Sequence, residues 1–104
     1  MELIEEKVHL WIDSARFVKS KPGVYILYDK KLDAIYIGES ENLQSQFSKY
    51  LDDNFVGEPC KQKTHAYQRT FTANPKEKKK LLLDTFREKY GSLPPCNTDS
   101  DYSA

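Results

Sequence analysis

Two short runs constrain this chain more than anything else in it: VYILY at residues 24–28 and AIYIG at residues 34–38. Both are rich in β-branched and aromatic residues, and the polar stretch DKKLD separates them, so they read as the arms of an antiparallel hairpin. Strand alternation puts Val24, Ile26 and Tyr28 on one face and Tyr25 and Leu27 on the other. In the second run Ile35 and Ile37 share a face, opposite Tyr36. Pairing the arms then brings Tyr25 and Tyr36 to the same side of the sheet. Taken alone, such a pair is cross-strand packing worth roughly 0.2–1 kcal/mol.

The remaining elements are shorter signals arranged around this hairpin. Apolar positions from Leu3 to Val18 fit amphipathic helical turns, which Pro22 closes by biasing Lys21 away from helical geometry. After Gly38 a helix is expected, capped by Ser40 and carrying Leu43, Phe47, Tyr50 and Leu51 at helical spacing. Gly57 and Pro59 punctuate a loop, and residues 65–72 supply a third strand. Asn74 followed by Pro75 opens a last helix to about Tyr90, stopped by Gly91 and followed by the stiff return SLPPCN. The expected architecture is α/β of the α+β kind: a small three-stranded antiparallel sheet flanked by helices. It forms one domain over residues 1–97, with an N-terminal helical extension and a flexible tail at 98–104.

A chain of 104 residues supports one modest core. Sixteen Lys and Arg balance sixteen Asp and Glu, which argues against an indiscriminate grip on nucleic acid and leaves room for a local basic patch. Lys76, Lys79 and Lys80 in KEKKK, with Lys61, Lys63 and Arg69, are the candidates for it. No stretch approaches the ~20 apolar residues of a membrane span, and no leader is visible, so a cytoplasmic protein is expected. Cys60 and Cys96 are too few for a disulfide scaffold and read as reduced thiols. With His65 they lack the dense spacing of a zinc site.

With GVY at Gly23, Val24 and Tyr25, YIG at Tyr36, Ile37 and Gly38, ESENLQSQF after it, and KLLLDTFREKYGSLPPCN downstream, the chain resembles the GIY-YIG nuclease domain family over residues 21–97. The resemblance implies phosphodiester hydrolysis by a water nucleophile and one divalent cation, Mg2+ or Mn2+. It places Tyr25 and Tyr36 at the reaction centre, Gly38 beneath the substrate, and Asn97 as a supporting hydrogen-bonding residue. Two positions depart from the family pattern. Gln46 stands where the helix arginine holds the scissile phosphate, with Lys49 the nearest cation. Leu83 stands at about the position of the metal-binding glutamate, with Asp84 beside it as the one candidate ligand. The expectation is therefore a nuclease-like domain impaired in cleavage and able to bind DNA or RNA, with no cofactor assigned. The alternatives are a divergent endonuclease using Lys49 and Asp84, and a protein-interaction module using sheet edges or the LLL run.

Overall fold

The computed structural model describes residues 7–102, apart from the side chains of Asp99 and Tyr102. Its centre is the expected hairpin. Strand β2 (Gly23–Tyr28) pairs antiparallel with β3 (Ala34–Ser40) on one side and with β4 (Ala66–Phe71) on the other. A fourth strand, β1 (His9–Leu10), pairs with β4, so the sheet runs β1-β4-β2-β3. This adds one short strand to the three expected.

That strand comes from the segment read as an N-terminal helix, whose residues 3–6 lie outside the described part. Only Trp11–Ser14 form an α-helical turn, α1, followed by a 3-10 turn at Ala15–Phe17. Packing explains the difference. Trp11 is buried, its ring 5.0 Å from Phe47, 5.4 Å from Phe55 and 5.7 Å from Tyr67. A single amphipathic turn is a marginal helix on its own, so the aromatic anchor decides the path of the chain.

The hairpin departs from plain alternation at one residue. Leu27 pairs with Tyr36, but Tyr28 pairs with Ala34, which leaves Ile35 as the extra residue of a β-bulge. The bulge turns Ile35 into the cluster that holds Tyr25 and Leu27, while Ile37 stays with Val24 and Ile26. Ile35 and Ile37 therefore do not share a face, contrary to simple period-two reading.

Two layers of helix cover the sheet. Helix α2 (Leu43–Asp53) lies over Tyr25, Leu27 and Tyr67, and helix α3 (Pro75–Tyr90) packs through Leu82 and Leu83 onto Val24, Ile26 and Ile37. The cap of α2 is Asn42, whose Oδ1 accepts from the Ser45 N–H at 3.0 Å. Ser40 is still in β3 and instead exchanges hydrogen bonds with the Asn42 backbone. Helix α3 keeps its expected bounds, with Pro75 in its first turn and Gly91 at φ 79° accepting the left-handed exit.

After α3 the return segment runs along β3. The Cys96 N–H donates to the Ile35 carbonyl at 2.8 Å. Asn97 then brackets Ile37, accepting from its N–H at 2.8 Å and donating to its carbonyl at 2.9 Å. Beyond it Asp99–Tyr102 form a 3-10 turn in which Asp101 accepts from the Thr98 N–H and the Asn97 amide. Cys60 and Cys96 are joined as a disulfide across 36 residues, which overturns the expectation of two reduced thiols. Their distance in sequence hid a proximity that the loop and the return segment create in space. Among the described residues no helix is long and apolar enough to cross a membrane.

Candidate functional site

The two hairpin tyrosines do meet, and a glycine makes the meeting feasible. Tyr25 pairs with Gly38 and Leu27 with Tyr36, so Tyr25 and Tyr36 are diagonal neighbours with ring centroids 6.0 Å apart. A Cβ on Gly38 would stand 2.5 Å from the Tyr25 Cζ and hydroxyl and 2.6 Å from Tyr36 Cε2. Both rings thus lean over bare backbone, and any larger residue would push them apart. This gives the YIG glycine a steric role directly visible in the fold.

Helix α2 adds a third tyrosine. Tyr50 lies one turn after Gln46 on the same helical face, and its hydroxyl is 2.9 Å from that of Tyr25. The chain continues into a cation: Lys61 Nζ donates to the Tyr50 hydroxyl at 3.2 Å and to Glu58 Oε1 at 2.8 Å. The same ammonium sits 3.9 Å from the centroid of the Tyr36 ring, a cation–π contact. Lys61 is 9% exposed, whereas the Glu58 side chain that partners it is 43% exposed. The next residue on either arm of the crosslink belongs to this cluster or to its support, since Cys60 precedes Lys61 and Cys96 precedes Asn97. The disulfide therefore fastens the lysine loop to the segment that brackets Ile37.

Protonation follows from this burial. Desolvation is the main cause that raises the Tyr25 phenol well above its ordinary range, helped by Tyr50 and Tyr36. Tyr36 is also raised by burial, against the opposing pull of Lys61. For Lys61, burial works against the charge, but the Glu58 hydrogen bond and the Tyr36 and Tyr50 phenols outweigh it and the pKa rises. At neutral pH Tyr25 and Tyr36 are thus neutral phenols beside a charged ammonium.

The other candidates are distributed less favourably. Gln46 is half-buried on α2, one turn from Tyr50, while Lys49 is exposed and joins none of these contacts. Leu83 is completely buried against Val24, Ile26 and Ile37, and Asp84 is exposed on α3. Helix α3 packs on the sheet face away from the tyrosines, so Lys49 and Asp84 are not brought together. The expected basic rim is divided by the sheet. Lys61 and Arg69, half-buried over Phe71, lie on the α2 side. Lys76 and Lys80 are exposed on α3. Lys79 is 6% exposed, so it does not share their face, and Lys63 is exposed in the 3-10 turn Lys61–Lys63.

The donor set is thin for a divalent cation. Hard cations need several oxygen ligands; of the carboxylates near the tyrosines, Glu58 is engaged by Lys61 and Asp101 by Asn97 and Thr98, which leaves Glu39, close enough to Tyr25 to raise its phenol. Among the described residues no group of three His, Cys, Asp or Glu side chains could hold a metal ion. Sequence reasoning missed Tyr50 and Glu58 as parts of the cluster. The i, i+4 step from Gln46 was the available signal for Tyr50; nothing comparable marked Glu58, because its place depends on the turn leading to Lys61.

Comparisons with known proteins follow this geometry. No family model matches the chain. It is 34% identical over 76 residues to UvrABC system protein C of Aliivibrio fischeri, a match covering 69% of this chain and 12% of that protein. With the same protein of Petrotoga mobilis the identity is 44% over 41 residues, or 38% of this chain and 7% of the relative. In three dimensions it resembles the GIY-YIG N-terminal endonuclease domain of UvrC from Thermotoga maritima bound to magnesium, its catalytic divalent cation. That likeness has a TM-score of 0.63 at 22% identity and covers 85% of this chain and 96% of the other. An asparagine-to-alanine mutant of that domain, also bound to its catalytic cation, gives 0.62 at 21% identity, with 85% and 94% covered.

Proposed function

We propose that this chain, a divergent GIY-YIG-like domain, binds DNA or RNA by its phosphodiester backbone at the tyrosine face and is impaired in hydrolysing it. The observation that carries this reading is Leu83. Where the resemblance implies a metal-binding glutamate, the chain has a fully buried leucine, on the face of the sheet opposite the tyrosines. A bound divalent cation would supply an activated water and charge compensation, and the residues present are not a set that would hold one. The chain's own groups do not replace that chemistry: Tyr25 and Tyr36 keep their protons at neutral pH and are poor bases. Gln46 can donate a hydrogen bond to a phosphate but brings no charge. What remains is a set of groups suited to positioning: packed phenols, an amide and an ammonium. The activity and partners of the far longer relatives are not carried over with the fold.

The test is Mg2+- and Mn2+-dependent cleavage of labelled single-stranded, duplex and branched DNA and of RNA, beside equilibrium binding to the same substrates. Saturable, salt-sensitive binding without turnover is the expected result. Metal-dependent turnover that falls in Tyr36→Phe would overturn the impaired reading and favour the divergent endonuclease with Lys49 and Asp84. Absence of binding would overturn the nucleic-acid reading.

A protein-interaction role is the second reading, favoured by one observation. Leu10, Ile12 and Phe17 are 48%, 76% and 75% exposed along the N-terminal segment, and such apolar exposure is more usual where a partner docks. A cytoplasmic placement also belongs to this proposal. It requires the Cys60–Cys96 bond to be transient or shielded from the reducing thiol pool, so acid-quenched thiol labelling in cells decides it.

A further inference from the structure

Three tyrosines of the α2 face converge on one ammonium. Lys61 Nζ contacts the Tyr36 ring and the Tyr50 hydroxyl, and through Tyr50 it reaches Tyr25. Its single ionic partner among the described residues is Glu58, three positions earlier in the chain and largely on the solvent side. The pair joins a nearly buried ammonium to a half-exposed carboxylate, so the ammonium needs an anion in that position but the anion is held from the solvent side. A phosphate oxygen approaching from solvent can therefore take the place of the carboxylate on the ammonium. The reverse exchange explains the arrangement in the free protein, since an acidic side chain occupies a seat that an anionic ligand would fill. The two missing family groups, the helix arginine and the metal carboxylate, are both charge-bearing, and Lys61 is the cation that the fold actually delivers to the tyrosines.

Building on the proposed nucleic-acid binding, we infer that Lys61 is the cation that receives a backbone phosphodiester at this site, that Glu58 is the carboxylate it displaces, and that binding needs no divalent ion. The site is thus gated by exchange of one anion for another on a tethered lysine. Glu58 sets a threshold for weak anions.

The test measures anisotropy of a fluorescein-labelled oligothymidylate with the wild type, Lys61→Met, Lys61→Arg, Glu58→Gln and the charge control Lys19→Gln, each in EDTA and in Mg2+. The expected pattern is equal wild-type affinity in both buffers and a loss of about tenfold or more in Lys61→Met, the effect of one charge-assisted contact. Lys61→Arg recovers part of this loss, Glu58→Gln binds several-fold more tightly, and Lys19→Gln changes little. Wild-type binding that requires Mg2+, undiminished binding by folded Lys61→Met, or no gain in Glu58→Gln would overturn the inference while leaving nucleic-acid binding in place. Should Lys61→Met fail to fold, the Glu58→Gln and EDTA results still decide. If the wild type binds no oligonucleotide, the functional reading fails by itself. Dimethyl phosphate titrated against the Lys61 and Tyr36 side-chain NMR signals then judges the lysine separately: selective, saturable shifts support it, and their absence overturns it.

Discussion

The two faces of the sheet are built on opposite terms. Under α3 lies a dry aliphatic layer in which Val24, Ile26, Ile37 and Leu83 are completely buried. Under α2 the layer is aromatic and hydroxyl-bearing, and one edge of it opens through Tyr50 and Tyr36 onto a charged lysine. Both faces bury their strand residues, and the second also carries hydroxyls and an ammonium. The strands β2 and β3 serve both at once, since Tyr25 and Ile26 are adjacent in sequence and point to opposite sides. The difference teaches where the two faces part company: Leu83, the residue that the resemblance sets at about the metal position, serves the aliphatic layer as packing, while the tyrosine side carries hydroxyls.

The sharpest way to break this contrast is to put a carboxylate back into the dry layer. Leu83→Glu should destabilise the domain by about 3–5 kcal/mol, the scale of an uncompensated buried charge, and should confer no cleavage. Chemical denaturation beside a Mn2+ cleavage assay checks both; a stable, metal-responsive variant would show that the α3 face is a dormant metal site. Next in size is Asn97→Ala, which leaves the N–H and carbonyl of Ile37 without the partner they share. Each unsatisfied buried group costs about 1–3 kcal/mol, so the melting temperature should drop clearly. The Ile37 amide should also lose hydrogen-exchange protection.

The smallest effect probes the tyrosine side. Tyr25→Phe removes one hydroxyl bond to Tyr50 and should cost about 0.5–1.5 kcal/mol at neutral pH. Its signature is in the pH dependence. Tyr25, Tyr36 and Lys61 all have raised pKa values in the folded chain, so above about pH 10 the folded state holds more protons than the unfolded one. Their contribution is complete below that pH and is lost as pH rises through the folded values. The wild type should therefore weaken steeply in alkali, and Tyr25→Phe less steeply. Parallel slopes from urea unfolding at several alkaline pH values would contradict this assignment.

Local pattern carried much of the fold. The hairpin arms, α3 with its proline start and glycine stop, and the meeting of Tyr25 with Tyr36 all follow from periodicity and turn chemistry acting over a few residues. The bulge at Ile35 did not, because a one-residue insertion leaves no mark in composition and is chosen by pairing across strands. Nor did β1, where the Trp11 ring, packed against four distant aromatics, overrode a helical pattern. The site was legible in its strand residues and obscure in its loop residues. Gly38 and Asn97 are held by the hairpin edge, whereas Lys61 reaches the tyrosines from a loop that the Cys60–Cys96 link fastens to the return segment, a contact between segments that the sequence keeps apart.

The return segment that places Asn97 also changes what the domain can assemble with. Strand β3 ends the sheet on one side, and Cys96 and Asn97 take up backbone groups of Ile35 and Ile37 along it. At the other side β1 offers two residues, too short a template for a second chain to zip onto. Self-association by strand addition is thus obstructed along β3, whereas on the other side β1 pairs with only Ala66 and Tyr67 of the longer β4. A chain adding to the sheet would have to meet it at the remainder of β4.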